Sequence, residues 1–155
     1  MNDFKLELFD CVSAFRKLPM SMRSKTHCVG IKLGEYEDNW RVVGITKEAL
    51  ITFAKHNYKM VPRMGIHRAH IIDRKASYAY MIENEMNSDS LWKYFLKTND
   101  TILSTASENM SKKETISQVY PIPQDLGLFK SRQVSWKHSK AEIEFIKNLC
   151  ETELY

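Results

Sequence analysis

His70 and Asn109 are residue types that together could hydrolyse a phosphodiester. Water is a poor nucleophile, so hydrolysis profits from a neutral imidazole that takes its proton as it attacks. Charge meanwhile grows on the phosphate and on the leaving oxygen, and a divalent cation beside them stabilises it. Hard cations of this kind take oxygen ligands, such as an asparagine carbonyl or a carboxylate, and usually keep several waters. Both parts lie at the ends of the stretch 65–113, with His67-Arg68-Ala69-His70-Ile71-Ile72-Asp73-Arg74 near its start and Asn109 near its end.

Each of these residues also has an ordinary role. A histidine among isoleucines serves equally as a core side chain hydrogen-bonded to a neighbour. Asn109 in a first helical turn can simply help to cap the helix, and Asp100 after Asn99 can be no more than a turn residue. His67 and His70 sit three apart, so on a strand they face opposite sides, whereas on a helix they converge.

The elements that must position these residues follow from spacing. Asn2 or Asp3 can cap a helix in which Leu6, Phe9, Val12 and Phe15 recur every three residues, ending near Pro19. Cys28–Leu33 and Trp40–Ile45 read as two short strands around a polar turn, which predicts a small antiparallel hairpin. Thr46 stands where an N-cap should, with Ala49, Leu50 and Phe53 marking one face of a helix that ends near His56. Gly65–Asp73 reads as a strand, and 77–86 leans towards helix. Asp89 or Ser88 can cap a helix carrying Leu91, Trp92, Phe95 and Leu96, and Thr101–Ser104 has strand composition. Thr105 and Glu108 form a capping box that starts a helix at about Ala106, the polar-to-proline tract 117–127 reads as loop, and Ser139 with Glu142 opens a last helix. The pattern is α+β.

The chain has 155 residues, 43% of them hydrophobic and 27% charged, which suits one compact domain over 1–155. No stretch reaches the length of a membrane span, so no membrane partner is expected. Cys11, Cys28 and Cys150 are widely spaced and odd in number, which offers neither a disulfide framework nor a zinc clip and fits a cytoplasmic location. The formal charge of +4 is compatible with a polyanionic partner without requiring one.

The run Asp100-Thr101-Ile102-Leu103-Ser104-Thr105-Ala106-Ser107-Glu108-Asn109-Met110 resembles the second half of the HNH motif of phage-type nucleases, where a strand ending in Thr leads into a helix carrying Glu-Asn-Met. Arg68-Ala69-His70-Ile71-Ile72-Asp73 is similar to the first half. Together they resemble the His-Me finger, or ββα-metal, fold, which implies such a core over about 64–115, elaborated by 1–60 and 117–155. The resemblance gives His70 the place of the general base, Asn109 that of the metal-binding residue and Asp100 that of the residue bracing the loop. Ala69 stands where many members place a metal-binding Asp or His, and Asp73 or His67 would then supply a further ligand. The interval between the halves makes the helix around Trp92 an insertion.

The resemblance implies a metal-dependent DNA endonuclease with a histidine general base, of the sequence-specific restriction type, in which the remaining elements supply the DNA grip and any sequence preference. The cofactor would be Mg²⁺ or Mn²⁺. Arg68 or Arg74 would position the phosphate, and Lys112, Lys113 and His138 would meet the DNA. Cutting both strands of a duplex favours a homodimer. Two rival readings are a non-catalytic nucleic-acid-binding or regulatory module, and a small protein whose partner is another protein.

Overall fold

In a computed structural model of the chain, residues 3–110, 118–130 and 137–155 are described. The chain forms two compact units, one built from Met1–Asn39 and His70–Asp100, the other from Trp40–Ala69 and Thr101–Tyr155. The fold is mixed α+β, with a four-stranded mixed sheet.

The first unit is helical: α1 (Asp3–Lys17), α2 (Met22–Leu33), α4 (Arg74–Glu83) and α5 (Ser88–Thr98). Leu8 and Val12 of α1, Val29 and Leu33 of α2, and Leu91 and Phe95 of α5 are pairs four residues apart, so each places one apolar stripe inward, where Met81 and Ile82 of α4 join them. Burial of each of these side chains contributes about 1.5–3 kcal/mol. Arg16 closes the end of α4, its guanidinium donating to the carbonyls of Ile82 at 2.8 Å and Met81 at 3.0 Å, where a helix C-terminus favours a cation.

The second unit holds β1 (Val42–Thr46), α3 (Lys47–Ala54), β2 (Ile66–His70, whose last residue belongs to the helical unit), β3 (Thr101–Thr105), α6 (Ala106–Met110), β4 (Val119–Pro121) and α7 (Lys140–Glu153). The strand order is β2-β3-β1-β4, with β1 parallel to β3 and antiparallel to β4. Helix α3 packs on β1 and β3 and against α7, burying Leu50, Phe53, Leu103, Phe129, Ile146 and Cys150 in one core. Gly44 is dictated by close approach: a Cβ there would lie 2.7 Å from Val119 Cγ1 and 3.3 Å from the Tyr120 carbonyl oxygen.

The expected hairpin is corrected. Cys28–Leu33 is the second half of α2, which Ser21 caps by accepting from the Ser24 N–H at 3.2 Å. A short apolar run does not reveal its period, and the Val29–Leu33 spacing buried here is helical. Trp40–Ile45 does contribute a strand, but its partners are β3 and β4. Two smaller corrections concern 119–121, a strand inside the tract read as loop, and Asn87, which caps α5 by accepting from the Ser90 N–H at 2.8 Å.

Candidate active site

The local order strand, strand, helix is β2, β3, α6. The start of β2 meets the end of β3, where the Ala106 N–H donates to the Gly65 carbonyl at 2.7 Å, so the two strands run antiparallel. Gly65 sits at φ +76°, which a glycine adopts without strain.

The expected capping box opens α6. The Glu108 N–H donates to Thr105 Oγ1 at 3.2 Å, and the Thr105 N–H donates to Glu108 Oε1 at 3.0 Å. The same oxygen accepts from Thr46 Oγ1–H at 2.6 Å, while Thr46 Oγ1 accepts from the Ala49 N–H at 3.1 Å as the cap of α3. One buried carboxylate thus ties the starts of α3 and α6 together.

That anchoring leaves the next residue, Asn109, on the exposed side of α6, with Nδ2 at 3.2 Å from Nδ1 of the exposed His67 on β2. An amide nitrogen only donates, so Nδ1 accepts and the neutral ring carries its proton on Nε2. With the amide turned over, Oδ1 would accept from Nδ1–H and Nε2 would keep the lone pair that a general base needs.

Arg68, next along β2, is half-buried and its side chain leaves the strand on the opposite side from His67. Its guanidinium approaches the Trp40 carbonyl at 3.5 Å and acts electrostatically on His138. The His138 ring packs with Phe53 and Phe129, at centroid distances of 5.4 and 5.1 Å. Burial pushes its pKa down to about 4; Glu142 opposes this shift and Arg68 adds to it. His138 is therefore a neutral packing ring near neutral pH, and neither it nor Arg68 shares the His67–Asn109 face.

In the helical unit His70 is half-buried, and its pKa is lowered to about 4, mainly by burial and further by Arg74, against the pull of Asp73. With Asn39, Arg74, Ser77, Thr98 and Asn99 it lines a cavity of about 10 Å³, the size of one water. Asp73 caps α4, accepting from the Lys75 N–H at 3.3 Å. The Asp100 carbonyl accepts from the Ile71 N–H at 3.2 Å. A side-chain brace missed from the sequence is Asn99, which is 5% exposed and donates to the Asp38 carbonyl at 2.8 Å. Its signal was its place beside Asp100, in the pair read as a turn. Lys112 and Lys113 lie outside the described residues.

Among the described residues no three His, Cys, Asp or Glu side chains gather as a metal-holding group, and no helix is long and apolar enough to cross a membrane. Asparagine oxygens fall outside such a grouping. An amide oxygen has two lone pairs, so with the Asn109 amide turned over Oδ1 can accept from His67 Nδ1–H and still face a hard cation held largely through water. Glu108, the carboxylate of α6, is taken up by its hydrogen bonds.

No protein-family model, no curated protein and no solved structure matches this chain.

Proposed function

We infer that the chain is a metal-dependent endonuclease of the His-Me finger kind, acting on double-stranded DNA. The observation that carries this reading is the contact between His67 and Asn109, a strand histidine against an asparagine in the helix that follows the second strand of an antiparallel pair. Asn109 would hold Mg²⁺ or Mn²⁺ through its amide oxygen and waters. When bound, the ion would offset the charge that develops on the phosphate and the leaving oxygen.

The chain's own residues do the rest. The imidazole beside Asn109 accepts the proton of the attacking water, in the tautomer that Asn109 sets by accepting from Nδ1–H. The sequence match gives this role to His70, whose ring is neutral at physiological pH as a base requires, but is weakly basic. A homodimer would cut both strands.

Incubation of mixed-sequence plasmid with Mg²⁺ or Mn²⁺ tests the reading. Discrete fragments that vanish with EDTA and with His67→Ala or His70→Ala support it, and the variant that loses activity identifies the base. Cleavage that survives both substitutions sinks it.

A non-catalytic nucleic-acid-binding module is the second reading. It is favoured by the commitment of the Glu108 carboxylate to Thr46 and Thr105, and by Ala69, an apolar residue only 6% exposed where a metal ligand would precede His70. DNA binding without cleavage in the same experiment would select it.

A further inference from the structure

We propose that the exposed face of α2, together with the turn that precedes it, is a surface that docks on duplex DNA, with the first two turns of α2 against the groove. This deepens the endonuclease reading and rests on it for the choice of DNA as partner.

The sequence is unusual here in charge. Between Asp10 and Glu35 the chain has no acidic residue, and the same stretch carries Arg16, Lys17, Arg23, Lys25 and Lys32. Acidic residues number 19 in 155, so a gap of this length leaves a local excess of positive charge larger than the net +4 of the whole chain. Potential of this sign, spread over the end of α1 and over α2, attracts a polyanion.

The structure then sorts these cations. Arg16 is used on the end of α4, Lys25 Nζ donates to the Arg16 carbonyl at 2.9 Å, and Lys32 pairs with Glu7 and Glu35. Lys17 and Arg23 stand exposed in the unbroken exposed run 17–24. Arg23, His27 and Ile31 recur every four residues, so they line one stripe of α2, with Ser24 beside it; all four are exposed. Val29 and Leu33 face the other way, into the helical core.

The arrangement is a helix, a turn over 18–21 and a second helix whose buried side is satisfied by α1 and α4, leaving its outer side presented. A helix so held fits the major groove, and its N-terminal residues are the ones that reach base edges. Arg23 can grip a guanine with two parallel hydrogen bonds, Ser24 and His27 offer shorter polar contacts, and Lys17 can meet a phosphate. A lipid surface would ask for a continuous apolar face, which the polar stripe of Arg23, Ser24 and His27 interrupts.

The test is duplex binding by the full chain in EDTA, so that it reads no catalysis, at several salt concentrations. Wild type should bind with a strong salt dependence. Lys17→Glu/Arg23→Glu should weaken binding at least about tenfold and reduce the salt slope by about one or more, while Lys59→Glu, a charge reversal at an exposed site in the other unit, should change it far less. Arg23→Lys should keep the salt slope and flatten sequence preference. Equal losses in the Lys59→Glu control, no loss in the double variant, or binding to anionic vesicles without binding to duplex would each overturn the proposal. Binding that follows the expected pattern in a protein that never cleaves would keep this surface and remove the endonuclease reading.

Discussion

Thr46 Oγ1 and Glu108 Oε1 lie 2.6 Å apart, 62 residues distant in sequence, and both side chains are buried. The bond joins the cap of one helix to the capping box of another, so the short helix bearing Asn109 starts from a fixed point. A five-residue helix is too short to hold itself in place by its own hydrogen bonds. Its orientation is borrowed from β1 and α3.

Glu108→Ala should therefore cost about 2–4 kcal/mol in urea unfolding, because it strands buried donors on Thr46 and Thr105 as well as removing a cap. Thr46→Ala should cost about 1–2 kcal/mol. The pair shares one network, so the double variant should lose less than the two losses added together; strict additivity would mean that the two residues do not act on each other.

Much of this was legible from residues four or fewer apart. Thr105 with Glu108, Ser139 with Glu142 and Thr46 as a cap all read correctly because capping is a local contest for backbone N–H groups. Helix α2 was misread because Val29 and Ile31 favour either pattern, and the informative pair was Ser21 with Ser24, a cap placed before a helix rather than a strand. The Thr46–Glu108 bond and the His67–Asn109 contact join parts of the chain 62 and 42 residues apart, and no periodicity encodes such pairings. For the same reason His67 received no more than a ligand's part, as an alternative to Asp73.

Gly44→Ala should destabilise by about 1–3 kcal/mol, since the added carbon would meet Val119 Cγ1 at 2.7 Å. Val119 is 41% exposed and can be trimmed at little cost. Gly44→Ala/Val119→Ala should recover part of the loss in a thermal melt, the remainder reflecting the Tyr120 carbonyl at 3.3 Å. No recovery would locate the strain elsewhere.

His138 and His70 both have folded pKa values near 4, below the ordinary 6.5. A proton thus binds the unfolded chain more readily, and stability falls as pH drops from about 6.5 towards 4, by at most about 1.4 kcal/mol per pH unit for each ring, less where solvent reaches it. For His138 the neighbours Glu142 and Arg68 pull in opposite directions, and burial decides the sign. His138→Phe, placed with Phe53 and Phe129, should make the urea midpoint change less between pH 7 and pH 5. An unchanged pH dependence would show that the ring is solvated.

His67 and Asn109 are both exposed, so replacing either should leave the melting temperature within about a degree or two, as surface substitutions usually do. Their effect on DNA cleavage should be large, about 10²–10⁴-fold for His67→Ala if this ring moves the proton. Asn109→Asp offers a sharper comparison. A carboxylate can still hold a cation and can accept from Nδ1–H, and it would raise the ring's basicity. Asn109→Asp should then retain cleavage and move the acid limb of the pH–rate profile to higher pH, while Asn109→Leu abolishes cleavage with stability intact. If both variants cleave like wild type, the contact between His67 and Asn109 is a surface hydrogen bond and the chemistry lies elsewhere.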